Sequence, residues 1–456
     1  MPMDLVPVLV VYPFALLACF LLYWAGARHA YLRRRPDTPG DPAAFDWHFF
    51  VPCRDEEAVV GTTVSRLHRS FPECHVWVID DASEDATGAV VEALAAGDPR
   101  VHLVRRRRPN ARIGKGAALN SAYEQLTAFL PADADRSRVV VCVIDADGQL
   151  DPRALGLVSG PRALADPDVG GVQIGVRMRN IGERRPFPAR GRIVNAVGRG
   201  LVRAQDIEFA VSNSGMQLLR NRTGSTGLGG NGQFNRLSAL DRIAAAERRP
   251  WQQGALLEDY ELGLHMLLAG YRTTHVADTW VSQEALPSLR RLLTQRTRWA
   301  QGNLQCVRYA PRIASSRHIR GRGVLETTYT FGQPLAHLAT LLLTLALLGS
   351  LAVDAAHGEA MSELDRMAAQ WPLILALTVL SVGPFVLWGV VYRRDFEPGR
   401  SVWKSLVWGL ALWLYTYHVF IVSSRAFART LRGRTGWAKT RRNAEHIESG
   451  PVALES

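Results

Sequence analysis

Four long apolar runs, residues 5–27, 325–353, 371–392 and 403–424, stand out from a chain whose remainder mixes polar and apolar positions. A helix needs about 20 apolar residues to cross a bilayer. Each run is long enough, so the pattern predicts a soluble domain enclosed by membrane segments. Within that domain short apolar runs alternate with helical patterning. Strands are predicted at 45–52, 75–80, 101–104, 139–144 and 170–178, and helices at 55–69, 85–96 and 115–130. Residues 139–144 are almost entirely apolar, as in a strand buried on both faces of a parallel sheet. Repeated strand–helix units predict an α/β, doubly wound sheet with ligands at the carboxyl ends of its strands. The expected organisation is an N-terminal membrane helix with a basic flank (1–44), a soluble domain (45–305), a basic interfacial segment (306–324), C-terminal membrane helices (325–424) and a basic tail (425–456).

Composition refines this picture. Hydrophobic residues make up 47% of the 456, which excludes a disordered chain. Lys and Arg outnumber Asp and Glu by 54 to 42, and only Lys115, Lys404 and Lys439 are lysines. The arginine excess reads as coding bias, and its clusters beside the apolar runs point to a membrane rather than to nucleic acid. Arg28, Arg33, Arg34 and Arg35 follow the first run, and Arg393, Arg394 and Arg400 follow the third. Positive-inside reasoning therefore places 45–320 in the cytosol and the acidic loop 354–370 outside. Four crossings would leave the tail outside, although it carries Arg425, Arg429, Arg432 and Arg434. Either one run is re-entrant or interfacial, with Pro334 one place for a break, or the rule fails here. Five cysteines without CxxC or CxxH spacing read as reduced thiols.

Carboxylates gather where the predicted strands end. The first strand leads into Pro52-Cys53-Arg54-Asp55-Glu56, the second into Asp80-Asp81 and the fourth into Asp145-Ala146-Asp147. An aspartate after a strand is ordinarily a cap or turn residue, and Asp85 and Asp151 are read that way. Three strand ends carrying carboxylates to one edge favour a site. Asp145 and Asp147 at i, i+2 are hard oxygen ligands suited to Mg2+ or Mn2+ beside a diphosphate. Lys115, in a glycine-containing turn at a helix start, suits a phosphate without forming a Walker loop. Glu258 and Asp259 open a later helix, and Glu261 with His265 lacks the second pair a metal site would need. Gln295, Arg298 and Trp299 share a helix just before the membrane. An arginine there can pair with a diphosphate and an indole can stack on a sugar, although both are also ordinary interface anchors.

In order, Asp80/Asp81, Asp145-x-Asp147, Glu258-Asp259 and Gln295-x-x-Arg298-Trp299 resemble the D, DxD, ED and QxxRW series of membrane-embedded family 2 glycosyltransferases, the cellulose, hyaluronan and poly-N-acetylglucosamine synthase type. The resemblance implies a GT-A fold, a nucleotide-sugar donor, usually UDP-linked, a divalent metal (Mg2+ or Mn2+) and inversion at the anomeric carbon. Carried across, it implies Pro52, Arg54, Glu56, Asp80 and Asp81 at the uridine, Lys115 at the diphosphate, and Asp145 and Asp147 at the diphosphate and metal. It implies Asp259 as general base, and Gln295, Arg298 and Trp299 at the donor diphosphate and the acceptor. Gly230, Asn231, Gly232 and Gln233, within 229–234, resemble the acceptor-side loop, and Glu258 also belongs to that side. Leu257 replaces the usual threonine, and Trp437-Ala438-Lys439-Thr440 resembles a tail motif of some bacterial members. The implied activity is transfer of a glucose or N-acetylglucosamine type sugar from a UDP-sugar to a growing β-glycan at the cytosolic membrane face. The alternative is transfer of one sugar to a membrane lipid, as in glucosyl-diacylglycerol synthases, favoured by the small number of membrane helices. A nucleic-acid-binding protein or a non-catalytic membrane scaffold would leave the four ordered motifs unexplained.

Overall fold

A computed structural model describes residues 6–357 and 369–434, so most of the acidic loop and the Trp437–Thr440 motif lie outside the described residues. The expected strands form as β1 (Asp46–Cys53), β2 (His75–Asp80), β3 (Val101–Arg105), β4 (Val139–Val143) and β6 (Val169–Met178). They are joined by β5 (Gln149–Leu150), β7 (Gln233–Arg236) and β8 (Arg272–Gln283). The sheet order is β3-β2-β1-β4-β7-β6-β8-β5. The first four strands are parallel, as the strand–helix alternation predicts. Beyond β4 the sheet is mixed, because β7 inserts antiparallel to both β4 and β6.

Successive strand residues face opposite sides, and the core divides accordingly. Phe49, Val51, Val76 and Val78 pack on one face against Val60 and Val64 of the Glu57–Ser70 helix. Phe50, Trp77, Ile79 and Val141 pack on the other against Ala118 and Leu119 of the Lys115–Phe129 helix. Burial on both faces explains why β1, β2 and β4 read as unbroken apolar runs. The result is a GT-A-like α/β domain with apolar helices appended.

Four helical segments are long and apolar enough to cross a membrane: Val11–Leu32, Gly321–Ser350, Trp371–Phe396 and Val402–Leu431. Pro334 does not break its helix, which runs unbroken over Gly321–Ala356. Tyr417 instead separates Val402–Thr416 from His418–Leu431. Along this last segment, contacts with the α/β domain recur. Arg203 lies 4.8 Å from the Trp408 ring, Tyr415 Oη donates to Glu208 Oε2 at 2.8 Å, and Arg429 Nε donates to Gln301 Oε1 at 2.9 Å. In the segment expected to be interfacial, Arg308 pairs with Glu261 and Arg312 with Glu247 of the α/β domain.

Candidate active site

Strands β1, β2 and β4 end at one edge, and a cavity of about 600 Å³ opens beyond them. Pro52, Arg54, Glu56 and Asp81 line one end, and Lys115, Asp145 and Asp147 line the floor. Glu258, Asp259, Gln295, Arg298 and Trp299 close the opposite wall. Residues separated by more than 200 positions thus converge, as the ordered motifs predict.

Backbone conformation sets the first end. Asp55, Ala82 and Arg112 have φ of 53°, 59° and 63°, a left-handed geometry that costs a side chain energy and persists where surroundings enforce it. Arg112 Nη2 donates to the Ala82 carbonyl at 2.6 Å, and Glu84 N donates to Asp55 Oδ1 at 2.8 Å, which stitches the three turns together. The Asp81 carboxylate accepts from the Arg106 guanidinium and from Arg112 N. Asp80 is placed differently. Its Oδ1 accepts from Ser83 N at 2.9 Å, and it lines a separate arginine-rich surface pocket rather than the cavity. Asp80 is the last residue of β2 and Asp81 the first beyond it, and of the two only Asp81 lines the cavity.

At the floor, Lys115 Nζ donates to Asp145 Oδ1 at 2.8 Å and to the Gly230 carbonyl at 2.6 Å. Burial works against its ammonium, but Asp145, Glu258 and Asp259 outweigh that and raise its pKa. The 229–231 loop is pinned from both sides. Asn231 Oδ1 accepts from Asp145 N at 3.2 Å and Asn231 Nδ2 donates to Gln283 Oε1 at 3.0 Å, while Gln173 Oε1 accepts from Gly229 N at 2.7 Å. A Cβ at Gly230 would stand 3.1 Å from both Lys115 Nζ and Asp259 Oδ2, which shows how closely that backbone approaches the two groups. Gly232 and Gln233, expected on the acceptor side, do not line the cavity. Gly232 has φ +73° and is wedged against Ile174 and Val281, and Gln233 is fully buried in β7. The glycine-rich loop ends two residues earlier than its sequence suggests, because the chain already pairs with β4 there.

On the far wall, burial and then the Asp259 charge push Glu258 up to about 7. Burial also raises Asp259, whose Oδ1 accepts from Tyr260 N at 2.8 Å. Arg298 Nη1 donates to the Leu256 carbonyl at 3.0 Å, coupling the Leu289–Cys306 helix to the turn before Glu258. Leu257, where the resemblance expects threonine, packs on Gly302 of the same helix. Trp299 faces the cavity with the Arg296 guanidinium 4.4 Å from its ring and Phe209 edge-on at 6.4 Å. Glu261 and His265 are absent from the lining. Glu261 accepts from Tyr309 and Arg308, and His265 stands near Glu247, so both have structural partners.

A family model described as "Glycosyltransferase like family 2" matches residues 45–302, more than half of the chain. The chain belongs to this family. It is a glycosyltransferase acting on a nucleotide sugar, and its sheet is the GT-A-like sheet expected of one. A relative named Beta-monoglucosyldiacylglycerol synthase, from Synechocystis sp., is 28% identical over 407 residues, covering 86% of this chain and 73% of the relative. The probable glycosyltransferase YdaM of Bacillus subtilis is 27% identical over 266 residues, covering 56% of this chain and 54% of that protein. In fold, the chain is similar to the mannosyltransferase PcManGT from Pyrobaculum calidifontis, solved in complex with GDP-Man and Mn2+. That match has a TM-score of 0.55 at 18% identity and covers 95% of this chain and 98% of that one.

In the glycosyltransferase, the donor set of Asp145 and Asp147 consists of hard oxygens, which fits Mg2+ or Mn2+. Among the described residues no three His, Cys, Asp or Glu groups form a ready-made metal site. A cation here would complete its shell with substrate oxygens and water, as Mg2+ ordinarily does. Sequence reasoning missed the supports: Arg106 under Asp81, Gln173 and Gln283 under the loop, and Arg179, whose Nη1 donates to the Asp147 carbonyl at 3.1 Å. None belongs to a motif, and each acts across a long sequence separation.

Proposed function

We propose that this glycosyltransferase transfers one sugar from a UDP-sugar to the hydroxyl of a membrane lipid at the cytosolic face. The carrying observation is the course of the cavity. From the carboxylates it continues past Trp299 to Thr330, Gln333, His337 and Ser423 on the apolar helices, so one space joins the acidic floor to the membrane segments. The synthase relative, similar over most of this chain, is named for a glucosyl-diacylglycerol product and supports the same reading. Trp299 on the cavity wall suits a sugar acceptor as well, which keeps extension of a β-glycan as the second reading.

In this reading Asp81, Pro52, Arg54 and Glu56 hold the nucleoside, and Lys115, Gln295 and Arg298 hold the diphosphate. Asp145 and Asp147 hold the divalent cation, which when bound stabilises charge on the leaving diphosphate. Asp259 accepts the acceptor hydroxyl proton while that oxygen attacks the anomeric carbon from the face opposite the nucleotide. The bond from that carbon to the diphosphate breaks, so configuration inverts. Gly230 and Asn231 form the acceptor-side floor, with Glu258 tuning its neighbour. The first three apolar helices cross the membrane. Residues 402–431 lie along the cytosolic interface, supported by the three contacts with the catalytic domain, and this keeps Arg425 to Arg434 inside.

The test is incubation of membranes holding the full chain with several radiolabelled UDP-sugars and Mn2+ or Mg2+. A solvent-extractable product bearing one sugar is expected, and a label recovered only in polymer would overturn the lipid acceptor.

A further inference from the structure

The Arg192–Ile207 helix carries an apolar line at helical spacing: Ile193, Val197, Leu201, Ala204 and Ile207. Its two ends differ in surroundings. Ala204 and Ile207 are buried among Trp388, Tyr392 and Leu412 of the apolar helices. Towards the N-terminus the line emerges uncovered, with Ile193 80%, Val197 54% and the adjacent Val194 45% exposed. The basic residues follow. Residues 179–203 contain seven arginines and a single acidic residue, Glu183. Arg184, Arg185, Arg190, Arg192 and Arg199 are all exposed.

This surface is built rather than loose. Asn195 Nδ2 donates to the Phe187 and Arg190 carbonyls at 3.0 and 2.9 Å, and Arg199 Nη1 donates to the Arg184 carbonyl at 2.8 Å, so the arginine-rich loop is folded onto the helix. Arg203 pairs with Glu397 at 2.6 Å, where the third apolar helix ends. At the other end of the segment, Arg179 reaches the Asp147 carbonyl.

We infer that residues 183–200 form a docking surface for an anionic lipid leaflet, with Ile193, Val194 and Val197 entering the acyl boundary and the arginines meeting headgroup phosphates. Continuity argues for a membrane, because the exposed line extends a stripe already packed on the apolar helices. Charge argues for an anionic one, because a soluble acidic partner would leave the exposed aliphatic residues unexplained. This surface lies apart from the 306–324 segment, where two of the arginines are held by catalytic-domain acids. The inference rests on the apolar helices being membrane spans, and is independent of the acceptor.

The test uses the full chain in nanodiscs of phosphatidylcholine alone or with added phosphatidylglycerol. In a Cys19→Ser background, whose remaining cysteines are buried, a nitroxide is placed at Val197→Cys, with Leu342→Cys as a marker of the span. With phosphatidylglycerol present, the Val197 label should show a severalfold rise in collisions with oxygen relative to a water-soluble nickel chelate. The combined variant Arg184→Gln/Arg185→Gln/Arg190→Gln should lose that rise. A Val197 label that stays open to the chelate while the Leu342 label is shielded overturns the docking surface alone. A Leu342 label open to the chelate overturns the membrane reading and this inference with it. Shielding of the Val197 label by an added oligonucleotide but not by phosphatidylglycerol would also overturn it.

Discussion

Lys115 Nζ donates to Asp145 Oδ1 at 2.8 Å and to the Gly230 carbonyl at 2.6 Å, so one ammonium joins the acidic floor to the 229–231 loop. Hydrogen bonds to charged groups are worth about 1.5–3 kcal/mol. Replacing Lys115 by Met should therefore lower kcat/KM by about 10- to 100-fold while the domain stays folded. Steady-state kinetics beside a thermal melt check this, and wild-type turnover would remove Lys115 from the site.

Chelation should stop transfer and added Mn2+ should restore it. Asp147→Asn, which keeps the side-chain size, should not be restored. A fully active Asp147→Asn variant in chelator would show that no cation is held there.

For the Glu258–Asp259 pair, Asp259→Asn should reduce transfer by about 10²–10⁴ with donor affinity near normal, the usual worth of a general base. If Glu258→Gln were dead and Asp259→Asn active, the roles would be exchanged.

Glu258, pushed up to about 7, also has a stability consequence. The folded state keeps a proton that an unfolded glutamate releases above about 4.3. The protonated folded form is favoured at low pH, and that stability is lost as pH rises through about 7. Glu258→Gln should therefore gain thermal stability over wild type on going from about pH 5 to about pH 8. A pH-independent difference would mean that Glu258 titrates normally.

Trp299→Tyr distinguishes stacking from anchoring. Both rings suit a membrane interface, so an anchor would tolerate the change. A stacked acceptor would lose about 1 kcal/mol of ring contact and raise the acceptor KM several-fold. Acceptor titration reads the difference.

Gly302 tests the wall itself. A Cβ there would fall 2.7 Å from Leu257 Cγ and 2.9 Å from its backbone N. Gly302→Ala should cost about 1–3 kcal/mol as overpacking and displace the turn that sets Asp259. Leu257→Ala in the same chain should recover only part, because the backbone contact remains. Additive effects in a double-mutant cycle would show that the two do not couple.

The parallel half of the sheet was legible in the sequence because strands buried on both faces must be continuously apolar. The cavity carboxylates were legible for a related reason: Asp81, Asp145 and Asp147 follow such strands directly, so the strand end fixes their position. Gln233 lies in β7 rather than on the loop, because a glycine-rich stretch gives no signal of where strand pairing resumes, and Asp80 falls outside the cavity lining, because the face of a terminal strand residue depends on register. The last apolar run was ambiguous because composition gives length, whereas Tyr415 bonding to Glu208 is a contact across 207 positions.

By itself the sequence determined which elements form and which chemical groups they end in, since apolar periodicity and strand-end polarity are local properties. Only the tertiary structure decided which of those groups share one cavity, that Lys115 bridges Asp145 and Gly230, that Leu257 meets Gly302, and that an amphipathic helix emerges from beneath the apolar segments. These depend on distances between residues far apart in the chain. Such distances are set by packing of the whole core, which no local pattern encodes.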